Sequence, residues 1–167
     1  YLTARLSGGA RHVTDVSNAS RTQLFDIHEG RWSDELLELF RVPRAVLPEV
    51  VPSSAVVAEA SVGPVAGVQV AALIGDQQAA TFGQACFRSG QAKATYGTGA
   101  FLVLNTGMEA KASANRLLTT VAWQQGGPLE YALEGSIFMA GAGVQWVGEG
   151  LGIIPEAGGA GPLPPGG

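Results

Sequence analysis

The sequence predicts a mixed α/β chain, and three observations carry that reading. Residues 68–74 form a short apolar run closed by Gly75, which suits a buried strand, and Asp76 then opens a helix to about Ala85. Residues 93–96 and 101–105 flank Gly97-Thr98-Gly99 in the manner of a hairpin. Residues 117–123 and 129–133 make a second strand pair around Gly126-Gly127-Pro128.

The remaining elements follow in order. Residues 2–6 read as the last turns of a helix, ended by Gly8 and Gly9; with Tyr1 in place of Met, they suit a piece of a longer protein. Residues 12–28 are mixed polar, and Thr14, Asp15, Ser17, Asn18 and Ser20 can satisfy backbone groups in turns. Ser33 reads as an N-cap, with Asp34 and Glu35 at the positive end of the helix dipole. Trp32 and Leu37 sit at staple spacing across that cap. Leu36, Leu37, Leu39 and Phe40 supply a buried stripe, and Pro43 ends the helix. Pro48 and Pro52 make the next stretch a stiff connection. Ser136 is the expected cap of a last helix running to about Glu149, in which Gly141, Gly143 and Gly148 mark a close approach of backbone or ligand. Residues 155–167 are mostly Pro and Gly, and no packed structure is expected there.

Composition narrows the function. Hydrophobic residues make up 46% and charged residues 14% of 167, enough for a core. The net charge of -4, and the lack of Lys or Arg between Arg44 and Arg88, argue against nucleic acid as the main partner. Cys86 stands alone, so a reducing, cytoplasmic setting fits. No signal-peptide pattern and no apolar run of spanning length is present, so no integral membrane segment is expected. Neither His12 nor His28 has metal-ligand spacing to another His or to Cys86. The Asn18-Ala-Ser20 sequon is read as chance.

Two segments carry chemistry. Gly75-Asp-Gln-Gln-Ala-Ala80 puts a carboxylate and an amide where a strand gives way to a helix. Thr95-Tyr-Gly-Thr-Gly-Ala-Phe101 is a glycine turn with a hydroxyl at its centre. One can orient an alcohol and take its proton; the other can hold phosphate oxygens. Read singly, Asp76 is an ordinary helix cap, Gln77 a first-turn polar residue, Gly97-Thr98-Gly99 a hairpin turn and Phe101 plain core.

In context these residues resemble the glycerol kinases of the FGGY carbohydrate kinase family. The motifs run in order: His12-Val-Thr-Asp15, Asn18-Ala-Ser-Arg-Thr22, Leu47-Pro-Glu-Val50, Gly75 to Ala80, Phe82-Gly-Gln84, Thr95 to Gly99, Leu117-Leu-Thr-Thr120, Tyr131-Ala-Leu-Glu-Gly135 and Phe138-Met-Ala-Gly141. The Gln77-Gln78 pair is more similar to glycerol kinases than to pentulokinases. The resemblance covers residues 1 to about 154 and implies part of an actin-like, ribonuclease-H-like ATPase fold spanning the junction of its two domains. The junction is expected near residues 84–90. Residues 1–86 then close the N-terminal domain, 87–154 open the nucleotide-binding domain, and 155–167 are a Pro/Gly-rich tail.

The resemblance also assigns roles. Asp76 is the base that accepts the proton of the terminal glycerol hydroxyl, Gln77 hydrogen-bonds a glycerol hydroxyl and Phe101 packs on its carbon face. Thr98 holds the γ-phosphate, and Gly141 and Gln145 face the nucleotide; for Gly141 tight helix packing is as good a reading. ATP and Mg2+ are the implied cofactors, and the parent protein is expected to be a homo-oligomer. The family's amino-terminal phosphate loop, its Arg-Glu glycerol clamp and its carboxy-terminal adenine pocket have no counterpart in these residues, so this stretch alone is expected to be inactive. The rival readings are another FGGY sugar kinase and a non-catalytic interaction module. Many bacterial relatives resemble one another in a basic, Gly-rich loop before the catalytic Asp that binds fructose 1,6-bisphosphate. Residues 53–75 hold no Lys or Arg with which to bind such an anion. Glycerol phosphorylation by the complete protein is therefore expected to be insensitive to fructose 1,6-bisphosphate through this loop; inhibition lost on altering residues 60–67 would show the opposite.

Overall fold

The computed structural model describes residues 1–152. The Pro/Gly-rich stretch 155–167 lies outside the described residues. The chain opens with α1 (Leu2–Leu6) and then β1 (Val13–Asp15), which runs directly into α2 (Val16–Ala19). A small hairpin of β2 (Phe25–Asp26) and β3 (Arg31–Trp32) precedes α3 (Asp34–Phe40). Within its turn, Asp26 Oδ1 accepts the N–H groups of His28 and Glu29 at 2.8 and 3.1 Å. Those bonds hold the Asp26 carboxyl below the usual carboxylate range. Next come β4 (Glu49–Val51), β5 (Ser54–Glu59) and β6 (Gln69–Ala72). Helix α4 (Asp76–Gly83) leads to an antiparallel sheet of β7 (Ala92–Tyr96), β8 (Ala100–Gly107), β9 (Leu118–Trp123) and β10 (Glu130–Ile137), in the order β7-β8-β10-β9. Helix α5 (Gly141–Glu149) follows.

Ser33 caps α3 as its sequence implies: its Oγ accepts the Leu36 N–H at 3.3 Å. Trp32 and Leu37 meet across the cap in a cluster with Val16, Ala19, Phe25, Val121 and Tyr131. That cluster joins the first helices to the large sheet. Trp32 also donates its indole N–H to Pro48 O at 2.9 Å, and the Tyr131 hydroxyl donates to Ile27 O at 2.9 Å. A second cluster, Val103, Ala122, Trp123 and Ala132, sits beneath α4 and takes Ile74 and Phe82 against it. The Phe82 ring meets Trp123 edge-on at 5.4 Å.

Several expectations are corrected. Residues 12–28 are not only turns: β1 pairs in parallel with β4, Val13 opposite Glu49 and Asp15 opposite Val51. The stretch between Pro48 and Pro52 is thus a strand, because both prolines flank it and neither removes a ladder N–H. The α3 stripe is narrower than expected; only Leu37 is buried, while Leu39 and Phe40 are exposed, since a seven-residue helix turns just one side inward. Arg41, in the left-handed region at φ 56°, ends α3 before Pro43 is reached. The strand expected at residues 68–74 is Gln69–Ala72; it pairs with β5 and is largely exposed rather than buried. Ser136 lies inside β10, opposite Phe101, and caps nothing; the strand continues to Ile137 because pairing with β8 outlasts the apolar pattern. Among the glycines of the last helix, Gly141 meets close backbone, whereas Gly143 faces open space.

Replacing Ser33 with Ala removes the only side-chain acceptor at the start of α3. The expected loss is about 1 kcal/mol, read as a lowered urea midpoint at unchanged slope.

Candidate active site

The Gly75–Asp76 junction is built from the far end of the chain inward. Asp15 is completely buried and caps α2. Its Oδ1 accepts from Asn18 N (3.1 Å) and Asn18 Nδ2 (2.7 Å). Its Oδ2 accepts from Ser17 N (3.0 Å), Ser17 Oγ (2.7 Å) and Ser53 Oγ (2.7 Å). The Ser17 hydroxyl that donates to Asp15 also accepts, through Oγ, the Gly75 N–H at 2.8 Å. Ser53 Oγ likewise accepts the Gln124 N–H at 3.2 Å. A buried carboxylate with so many donors is fully satisfied, and its hydroxyl partners fix the backbone just before Asp76. Space at 75 is tight: a Cβ there would stand 2.6 Å from Gln78 Oε1, so a larger residue would have to displace the Gln78 amide. The Gln78 amide is itself buried and donates to Val121 O at 3.4 Å.

Asp76 is the first residue of α4 and is exposed, with Oδ1 accepting the Gln77 N–H at 2.7 Å. Gln77 is half-buried, and its Oε1 accepts a hydrogen bond from Lys93 Nζ. Lys93 is 1% exposed on β7. Burial pushes its pKa below the ordinary lysine value, while the charges of Asp76 and Glu134 pull it back up. Glu134 is buried on β10 and accepts from Arg21 Nη2 at 3.0 Å. The register places Lys93 opposite Val103 and Val103 opposite Glu134, so all three side chains stand on one sheet face. Thr95, Phe101 and Ser136 form the next such row on that face.

The structure therefore brings Asp76 and Gln77 together and sets Phe101 on the sheet face that carries Lys93. It also brings Thr98 and Gly141 together. The Ala140 and Ala142 N–H groups donate to Thr98 O at 2.8 and 3.2 Å, and the Gly141 N–H donates to Gly97 O at 2.9 Å. A Cβ at Gly141 would stand 2.6 Å from Gly97 O, so close packing on the turn is sufficient reason for that glycine. Thr98 is exposed at the turn. Gln145 is exposed on α5, where its Nε2 donates to Glu149 Oε1 at 3.0 Å, and no hydrogen bond links it to Thr98 or Asp76. A cleft of about 440 Å3 runs along β7, β8 and residues 115–117; Phe101 borders it, whereas Asp76, Gln77 and Thr98 lie outside it.

Sequence reasoning missed Lys93, Glu134 and Arg21, and saw Asp15 and Ser17 only as turn formers. A lysine inside the strand segment at residues 93–96 was the available signal. No group of three His, Cys, Asp or Glu side chains converges among the described residues. No helix among them is long and apolar enough to cross a membrane.

An α/β chain with a carboxylate at a strand-to-helix junction and a glycine turn in the sheet that follows defines a class that comparison with known proteins makes specific. Residues 1–83 match the N-terminal domain of the FGGY family of carbohydrate kinases, and the chain belongs to that family. It is 57% identical over 164 residues to a glycerol kinase of Bradyrhizobium diazoefficiens, covering 98% of this chain and 33% of that protein. The fold is similar to that of Plasmodium falciparum glycerol kinase, solved with ADP, at TM-score 0.86 and 37% identity over 93% of this chain and 31% of that one. A xylulose kinase from Rhodospirillum rubrum shares the fold at TM-score 0.77 and 22% identity, over 95% of this chain and 32% of that one. The chain spans about a third of the length of the relatives it matches.

Ser17→Ala leaves the Gly75 N–H without its acceptor and removes one donor from Asp15. The expected cost is about 1–3 kcal/mol in urea unfolding; an unchanged midpoint would show that the Gly75 N–H finds another acceptor.

Proposed function

We propose that the protein to which this chain belongs transfers the γ-phosphoryl group of ATP to the terminal hydroxyl of glycerol, giving sn-glycerol 3-phosphate and ADP. One observation carries this reading. Asp76 is presented, exposed, at the start of α4 from a backbone tied to Asp15, and the amide beside it is held by a buried lysine. Such a carboxylate can accept the hydroxyl proton and align the attacking oxygen, the main protein task in a loose phosphoryl-transfer transition state.

The other roles are part of the same proposal. Gln77 binds a second hydroxyl, and Phe101 offers a ring to the carbon skeleton from the same sheet face as Lys93. The Thr98 hydroxyl holds γ-phosphate oxygens at the β7–β8 turn. Gly141 lets α5 close on that turn, and Gln145 lies further along the same helix for the nucleotide. Mg2+ neutralises phosphate charge when bound with the nucleotide. Asp76, an exposed carboxylate, would be a candidate ligand for it, in keeping with an ion held through one or two carboxylates and the substrate's own phosphates. Residues 1–86 belong to the glycerol side of the cleft and 87–154 begin the nucleotide side; the family match over residues 1–83 supports that division.

Glycerol is favoured over pentuloses because identity reaches 57% with a glycerol kinase, whereas likeness to xylulose kinases is one of fold. Comparing glycerol with xylulose as substrates of the complete protein tests this directly, and preference for xylulose would refute it. Asp76→Asn should keep the fold and leave the glycerol KM nearly unchanged while lowering kcat by about 10²–10⁴. Near-native turnover in that variant would remove Asp76 from the mechanism.

A further inference from the structure

We propose that Lys93 is a positioning residue that sets the polarity of the Gln77 amide, and so makes Gln77 a hydrogen-bond donor towards the alcohol. The inference rests on the glycerol-kinase reading of the site and assigns a role to a residue outside the substrate's reach.

A lysine at 1% exposure is unusual and costly, because its ammonium leaves water. It must therefore be spent on a defined partner. Among the described residues its hydrogen-bond acceptor is Gln77 Oε1, and it makes no ion pair within salt-bridge distance. Glu134 lies nearby, but its Oε1 accepts from Arg21 at 3.0 Å and from Ser136 Oγ at 3.4 Å, and neither a hydrogen bond nor an ion pair joins the carboxylate to Lys93. The charge of Lys93 is thus aimed at α4, at the amide of Gln77 and the neighbouring carboxylate of Asp76.

The chemistry of the pair is one-directional. An ammonium has three donors and no acceptor, whereas a glutamine amide has one oxygen and one NH2 group that can exchange places by rotation. With Lys93 present the oxygen faces the lysine, and Nε2 is the end left free of it for a ligand. A substrate hydroxyl beside the reacting one then accepts from Gln77, while the reacting hydroxyl donates to Asp76. Without Lys93 the amide can present either end, and half of its orientations set an acceptor against the ligand's lone pairs. The register that puts Lys93 opposite Val103 also turns it towards α4, where its Nζ meets Gln77.

A double-mutant cycle in the complete protein tests the proposal. Lys93→Met keeps the apolar stem and removes the donor. It is expected to raise the glycerol KM about tenfold, with the ATP KM held within about twofold. In a Gln77→Leu background the same change should alter the glycerol KM by less than about twofold, because the amide through which Lys93 acts is gone. Lys93→Arg, which keeps a donor, should restore most of the glycerol affinity. Additive effects of the two substitutions would overturn the proposal, as would equal rises in both KM values or an unchanged glycerol KM. Loss of cooperative unfolding in both the Met and Arg variants would also overturn it, making Lys93 a structural cation. Unmodified protein that fails to phosphorylate glycerol sinks the parent reading and this inference with it. Active protein with additive variants sinks this inference alone.

Discussion

The buried carboxylate of Asp15 is the constraint on which the other parts of the molecule depend. It ends β1, starts α2, and accepts from Ser17, Asn18 and Ser53. A carboxylate in the interior is tolerable only when its oxygens are saturated with donors, and here they are. Each hydroxyl partner then passes the constraint on: Ser17 to Gly75, Ser53 to Gln124 at the end of β9. One charge thereby joins the β1–β4 pair, the strand-to-helix junction and the large sheet. The apolar cluster of Val16, Ala19, Trp32, Val121 and Tyr131 closes over the same seam and excludes water from it.

The site uses a second buried charge differently. Lys93 is not bonded to a carboxylate: it donates to Gln77 Oε1, while Glu134 pairs with Arg21 through Oε1. Its field reaches the mouth of the site instead, where Asp76 and Gln77 meet solvent. Interior electrostatics are stronger than those in water, so a cation buried behind an exposed carboxylate orders polar groups that would otherwise rotate freely. The glycine turn is ordered by other means. Its carbonyls take up the first N–H groups of α5, so helix and turn move as a unit, and the close approach at Gly141 makes this possible.

Much of the fold was legible because local chemistry decides it. Ser33 capping α3, Gly75 standing at the entry to α4, and the hairpin around Gly97-Thr98-Gly99 follow from residues a few positions apart. What failed were statements about burial and pairing over long separations. Leu39 and Phe40 carry helical periodicity, yet the helix is too short for both to face the core. Residues 49–51 form a strand only because β1, more than thirty residues upstream, offers a parallel edge. Ser136 has the local marks of a cap, but β8 extends the ladder past it.

Asp76, Gln77, Thr98 and Phe101 could be singled out because helix starts, glycine turns and motif order are written in sequence neighbours. Their environment could not. That Lys93 faces Gln77 depends on which way an alternating strand is turned and on where α4 lies across it. That Asp15 supports Gly75 depends on a serine between them in space and sixty residues apart in the chain. Short-range order is encoded in φ/ψ preferences and caps, which act within a few residues. Placing a buried charge requires the whole packed interior, since only the completed fold determines which donors and acceptors are left to meet it.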